Sequence, residues 1–178
     1  MNRPIIAVLL LFVPALLLAQ TTPKPKKITG FRGEFLANFD DVQSKVMELA
    51  EAVPAKSYAW RPGKGVRSIG EVYMHVAGTN YYLSTFLGRT PPRDVPKDIE
   101  KITDKQRALV ELKKSFDYIR EVVQSEKDAD LDKPVNMYGK QTTRRGVLVT
   151  ALTHLHEHLG QSIAYARMNG VVPPWSGR

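Results

Sequence analysis

The run Thr153-His154-Leu155-His156-Glu157-His158-Leu159-Gly160-Gln161 lies in the last long periodic segment of the chain, and the rest of the sequence is best read outward from it. Residues four apart on a helix share a face about one turn from each other, so His154 and His158 present two imidazoles to one point. The chain has only four histidines, and His75 stands far upstream in another helix-like stretch. Two imidazoles from one helix and a third from a packed neighbour form a pattern suited to holding a metal ion. His156 is about 200° round the helix from each neighbour and reads as a surface residue. Glu157 is also off the ligand face, so the segment lacks the metalloprotease pattern, which places Glu directly after the first of two histidines four apart.

Other residues share these faces. Gln161 follows His158 by three residues and His154 by seven, which makes it a candidate partner for the site or an ordinary packing residue. Thr79 and Tyr82 follow His75 by four and seven residues and are candidates to line a pocket, with core packing the plainer role for Tyr82.

Away from the histidines, the period predicts four helices. Phe35, Leu36, Phe39, Val42, Val46 and Leu49 recur at three- and four-residue intervals between Phe31 and Val53, and Pro54 stops the pattern. The segment from Tyr58 to Gly65 is dense in Pro and Gly and predicts a packed loop, which Trp60 and Arg61 are expected to fix rather than meet substrate. Ser68-Ile69-Gly70-Glu71 has the form of a capping box and starts a second helix, with Ile69, Val72, Tyr73, Val76, Tyr82, Leu83 and Phe86 on it, ending near Gly88. A third stripe, Leu109, Leu112, Phe116, Ile119 and Val123, spans Ile102 to Gln124. A polar loop is expected from Ser125 to Gln141, then a last helix capped by Thr142 or Thr143 and closed by Gly170. With no alternating strand pattern, the fold class is all-α, a four-helix bundle, in which metal sites are commonly built between facing helices.

The amino-terminal stretch sets the compartment. Met1-Asn2-Arg3 is a short basic start, the run from Ile5 to Leu18 is apolar apart from Pro14, and Ala19-Gln20 offers a cleavage point. This predicts a signal peptide over residues 1–19, a flexible linker over 20–30 and a single domain over 31–178, placed in the periplasm or outside the cell. The apolar run falls short of the roughly 20 residues of a membrane span, so no stable membrane insertion is expected after cleavage. The chain contains no cysteine, hence neither a disulfide framework nor a lipid-bearing thiol.

The net charge of +8, from 26 Lys and Arg against 18 Asp and Glu, invites a nucleic-acid reading. Basic and acidic residues are interleaved along most of the chain, however, and the aromatic residues do not alternate with the basic ones as a stacking surface requires. A small molecule is the expected partner, and nucleic acid is not.

Taken together, Trp60-Arg61-Pro62-Gly63, Ser68-Ile69-Gly70-Glu71-Val72, His75, His154, His158-Leu159-Gly160-Gln161 and Gly170-Val171-Val172-Pro173-Pro174 resemble the DinB-like superfamily of four-helix-bundle proteins. The resemblance implies a divalent metal held by one histidine on the second helix and two, four apart, on the last, at positions matching His75, His154 and His158. It also implies that a homodimer is within the family's range, and that relatives include thiol-dependent transferases and isomerases. Three neutral imidazoles leave at least one coordination position open, the usual mark of a catalytic rather than a structural site. They suit zinc, nickel or iron about equally well. Metal-dependent hydrolysis and thiol transfer are both within reach of such a centre, and a helical bundle that only binds a metal or ligand is the alternative.

Overall fold

In the computed structural model, which describes residues 28–177, the four predicted helices form as α1 (Gly30–Ala52), α2 (Ile69–Thr85), α3 (Lys105–Ser125) and α4 (Arg144–Met168). The predicted signal peptide and most of the linker lie outside the described residues, and α1 begins one residue ahead of the expected domain start. Sequence chemistry accounts for the helix ends. Ser68 accepts the Glu71 amide while the Glu71 carboxylate accepts the Ser68 amide, the reciprocal capping box. Thr143 caps α4 through the Gly146 amide, and Asp104 caps α3 through the Arg107 amide. Gly170 sits just past α4 at φ +73°, the left-handed position that glycine adopts without steric cost.

Contacts between the helices fix their directions. Along α1 and α3, Arg32 pairs with Asp128 near one end, Arg120 meets Gln43 midway, and Lys105 reaches the Glu51 and Val53 carbonyls at the other end, so the two run antiparallel. Between α2 and α3, Asn80 donates to Ser115 and Ser84 to Tyr118, a constant offset that makes these helices parallel. Histidines 75 and 154 meet near the middle of α2 and α4 while Arg144 reaches the Leu87 carbonyl at an end, which makes that pair antiparallel. The order round the bundle is therefore α1, α3, α2, α4, with two helices up and two down. Parallel neighbours need a long connection, and residues 86–104 provide it, crossing the bundle and carrying a single 3-10 turn at Ile99–Lys101.

Apolar stripes from all four helices meet in one core, in which Phe39, Val42, Val46, Leu49, Tyr73, Leu112, Phe116, Leu148 and Leu155 are among the buried residues. Two expectations need correction. The segment predicted as a polar loop contains an antiparallel hairpin, β1 (Pro134–Met137) paired with β2 (Lys140–Thr143), whose Tyr138-Gly139 turn takes positive φ at both residues. Tyr82 is not a core residue: it is 50% exposed and packs edge-on against Phe86 and at a tilt against Tyr138 at the hairpin tip. No described helix is long and apolar enough to cross a membrane.

Candidate metal centre

Histidines 75, 154 and 158 converge between α2 and α4, half-buried, with one ligand atom from each lying within 4.8 Å of the others. All three turn their Nε2 atoms inward. His154 Nε2 stands 3.2 Å from His75 Nε2 and 3.1 Å from His158 Nε2. Nitrogens about 2.0–2.1 Å from a tetrahedral zinc ion would be separated by about 3.3 Å, so the cluster has the size of a coordination shell.

The outer nitrogens decide what the inner ones offer. His75 Nδ1 lies 3.0 Å from the Glu100 Oε1 atom, and an ionised carboxylate only accepts, so the proton sits on Nδ1 and the Nε2 lone pair faces inward. His158 Nδ1 lies 2.7 Å from the Gln161 Oε1 atom, and the Gln161 amide nitrogen in turn donates to the Tyr165 hydroxyl at 3.0 Å. His158 thus also turns a bare lone pair inward. Two lone pairs meeting at one point are satisfied by a cation far better than by the single N–H that a neutral His154 can supply. The donor set fits a divalent metal.

Electrostatics favour the neutral ring at His154 and His158. Burial, followed by the neighbouring His158 and His75 and then Arg67, pushes His154 down to about 4 from its ordinary 6.5. His158 is also lowered, chiefly by burial and against the raising influence of Gln161. Glu100 stays ionised: burial raises its carboxyl, but hydrogen bonding and charge from His75 and then Arg67 outweigh that and hold it below the usual range.

Beside the triad lies an open cavity of about 750 Å³, lined by Arg61, Val66, Arg67, Glu71, Glu100, Glu157, His158 and Gln161 among others. Gln161 thus takes the partner role offered by its helical face. His156 points away, as expected, bonding only the Leu152 carbonyl of its own helix. Thr79 is half-buried but absent from the cavity wall. Tyr82 lies two turns from His75, about 10 Å along the axis, and that distance carries it beyond the cavity to the hairpin. Arg61 fixes its loop, as expected, by bonding the Val66 carbonyl and Glu71, yet it also forms part of the cavity wall. Trp60 packs edge-on against Tyr165.

Sequence reading missed Glu100. It reaches His75 because the Ile99–Lys101 turn lies against α2 at Gly78, where an added Cβ would stand 3.4 Å from the Ile99 side chain and 3.8 Å from Glu100 Oε1. Gly78, inside α2, is the one signal in the sequence that something packs there.

The model of the DinB superfamily matches residues 38–162. No curated protein matches the chain. Among solved structures, the chain is similar to a DinB-like protein from Bacillus cereus, at 20% identity and a TM-score of 0.66, over 79% of this chain and 93% of that one. It is similar as well to a conserved protein from Enterococcus faecalis, at 16% identity and a TM-score of 0.67, over 79% of this chain and 98% of the other. A third similar structure is YfiT from Bacillus subtilis, described as a probable metal-dependent hydrolase with an unusual four-helix bundle topology, at 16% identity and a TM-score of 0.63, covering 83% of this chain and 94% of that chain. Identities this low carry the fold and no more.

Proposed function

We propose that this chain, which belongs to the DinB superfamily, is an exported metal-dependent enzyme of the hydrolase type, with His75, His154 and His158 holding one divalent ion. The observation that carries the reading is the inward convergence of three Nε2 atoms whose outer nitrogens are bonded, at His75 and His158, to Glu100 and Gln161. YfiT, which shares this fold, is itself described as a probable metal-dependent hydrolase. A divalent ion held by these three histidines would supply Lewis acidity, the means of activating a water and polarising a carbonyl or phosphoryl oxygen.

The chain's own residues do the rest. Glu100 keeps the His75 proton on Nδ1, and the Tyr165-Gln161 relay does the same for His158, so both rings stay in the ligating tautomer. Glu157 lies exposed on the cavity wall beside His158 and is the carboxylate there without a hydrogen-bonded partner among the described residues, which suits it to take up a proton at its carboxylate oxygen. The cavity admits a small molecule and opens to solvent, as hydrolysis requires. Export, inferred from residues 1–19, counts against thiol transfer, because low-molecular-weight thiols are chiefly intracellular.

Elemental analysis of the mature protein, purified without chelator or histidine tag and set beside His154→Ala, tests the reading. Near one ion per chain in the wild type and none in the variant is the expected result. No ion in either, even after incubation with zinc, nickel and iron, would leave a helical binding module.

A further inference from the structure

We infer that Arg67 is the substrate-anchoring group of this centre and that the group it anchors is a carboxylate or a phosphate. This rests on the metal-centre reading above and extends it to the class of molecule the centre takes.

Arg67 is delivered by a loop whose ends and middle are fixed. The Ile69 amide donates to the Trp60 carbonyl at 3.0 Å and the Gly70 amide to the Tyr58 carbonyl at 2.9 Å. Inside the loop, Arg61 donates to the Val66 carbonyl and to Glu71, both at 3.1 Å. Gly65 makes the bend at φ +82°, a conformation that a residue with a Cβ adopts only under strain. Arg67 therefore leaves the loop next to the Ser68 cap of α2 at a set position, and Arg61 is a positioning residue that acts through the loop.

The guanidinium is poised and under-used. Its hydrogen bond to Glu100 Oε2 is 3.4 Å, long beside the roughly 2.7–2.9 Å of a firm charge-assisted bond, and its side chain is 44% exposed. A guanidinium carries five N–H donors in a planar fork, so most of them remain for a ligand. Glu100 bridges Arg67 and His75, bonding the imidazole through its other oxygen, and this places the fork one carboxylate away from the histidine cluster. Arg67, His158 and Gln161 line the same cavity.

Charge selects the ligand. Of the three wall carboxylates, Glu71 is bonded to the Ser68 amide and Arg61, and Glu100 to His75 and Arg67, which leaves Glu157, at the His158 side of the wall, as the one a ligand must face with its uncharged part. At the Arg67 end of the wall a cationic ligand would meet the guanidinium and the ion, with Glu100 already engaged, and a neutral one would leave the fork to water. A carboxylate or phosphate matches the fork bidentately while the remainder of the molecule reaches the histidines.

The test uses the full chain loaded with one equivalent of zinc and titrated calorimetrically with inorganic phosphate, with succinate, and with acetamide as the neutral control. Wild type, Arg67→Gln and Arg67→Lys are compared, with metal content and circular dichroism recorded for each; the site is exposed, so both variants are expected to fold. One or both anions should bind the wild type and acetamide should not, and whether phosphate or succinate binds more tightly identifies the anion class. Arg67→Gln should weaken anion binding about tenfold or more at unchanged metal content, with Arg67→Lys in between. Equal anion affinity in wild type and Arg67→Gln would overturn the proposal, since the anion would then be held by the ion alone. A zinc-loaded wild type that ignores both anions overturns it while sparing the metal centre, whereas a wild type that takes up no metal sinks both.

Discussion

Glu100 does at the residue scale what spacing along the chain conceals. The pairing of His154 and His158 on one face was legible because the four-residue step is a local property of any helix, and the place of Gln161 on that face was legible by the same rule. Glu100 is 25 residues from its partner and reaches it only because the crossover folds back over α2. Outer partners of ligating histidines typically contribute about 10–100-fold to metal affinity. Glu100→Gln is therefore expected to weaken zinc binding by about that factor, read by competition with a chelator, with the fold intact; unchanged affinity would remove Glu100 from the site. His154 makes a second prediction through its depressed pKa. Its folded value of about 4 lies below the ordinary 6.5, so the unfolded chain takes up the proton first. The neutral ring's contribution is present above the unfolded value and is lost as pH falls from about 6.5 towards about 4. In metal-stripped protein the loss should reach about 1–2 kcal/mol, a figure discounted for partial solvent exposure. Denaturant midpoints measured across that window should fall more steeply for the wild type than for His154→Asn, and parallel curves would show that the ring is not held neutral.

Elements were legible where a period of 3.6 residues ran long, and lost where structure was short. All four helices and the Ser68 cap could be read from residues alone, since apolar stripes and capping side chains are local signals. The hairpin was missed because each strand has only four residues and the turn is Tyr138-Gly139 rather than an Asn-Gly or Asp-Gly pair. Its faint trace is the alternation of half-buried Val135 and Met137 with exposed neighbours, too short to count as a period. How the elements are tied together at that end of the bundle depends on a residue with no sequence signature. Glu126, at the carboxyl end of α3 with its side chain 1% exposed, accepts two bonds from Arg144 at 2.7 and 2.8 Å and one from Arg89 at 3.1 Å. Arg144 also donates to the Leu87 carbonyl, so one buried carboxylate joins the ends of α2, α3 and α4. Burial alone would raise this carboxyl, yet Arg144 and Arg89 more than offset it and hold it below the usual range. Removing one partner of a buried pair strands the other, at a cost of about 3–5 kcal/mol. Glu126→Ala should lower unfolding free energy in urea by about that much; a loss under about 1 kcal/mol would mean that water reaches Arg144 in the variant.

At the scale of the molecule, the order of helices round the bundle was beyond the sequence, because each apolar stripe says that a helix packs and not against which neighbour. The parallel α2 and α3 pair depends on side chains such as Asn80 and Ser115, which meet only after the crossover has been laid down. That arrangement gives the metal centre a mechanical meaning. His154 and His158 alone would grip an ion within one helix, whereas an ion held by His75 as well would link α2 and α4, elements 79 residues apart at the His75–His154 contact. A ligand that binds only the folded state stabilises it by about 2.7 kcal/mol at a hundredfold excess over its Kd. For a domain of about 150 residues this should raise Tm by roughly 5–10 °C. The His75→Ala variant keeps the pair on α4 and so separates the two situations. Differential scanning calorimetry with and without zinc should show the full rise for the wild type and only a small fraction of it for His75→Ala. An equal rise in both would place the ion on α4 alone, and the centre would then not join the helices.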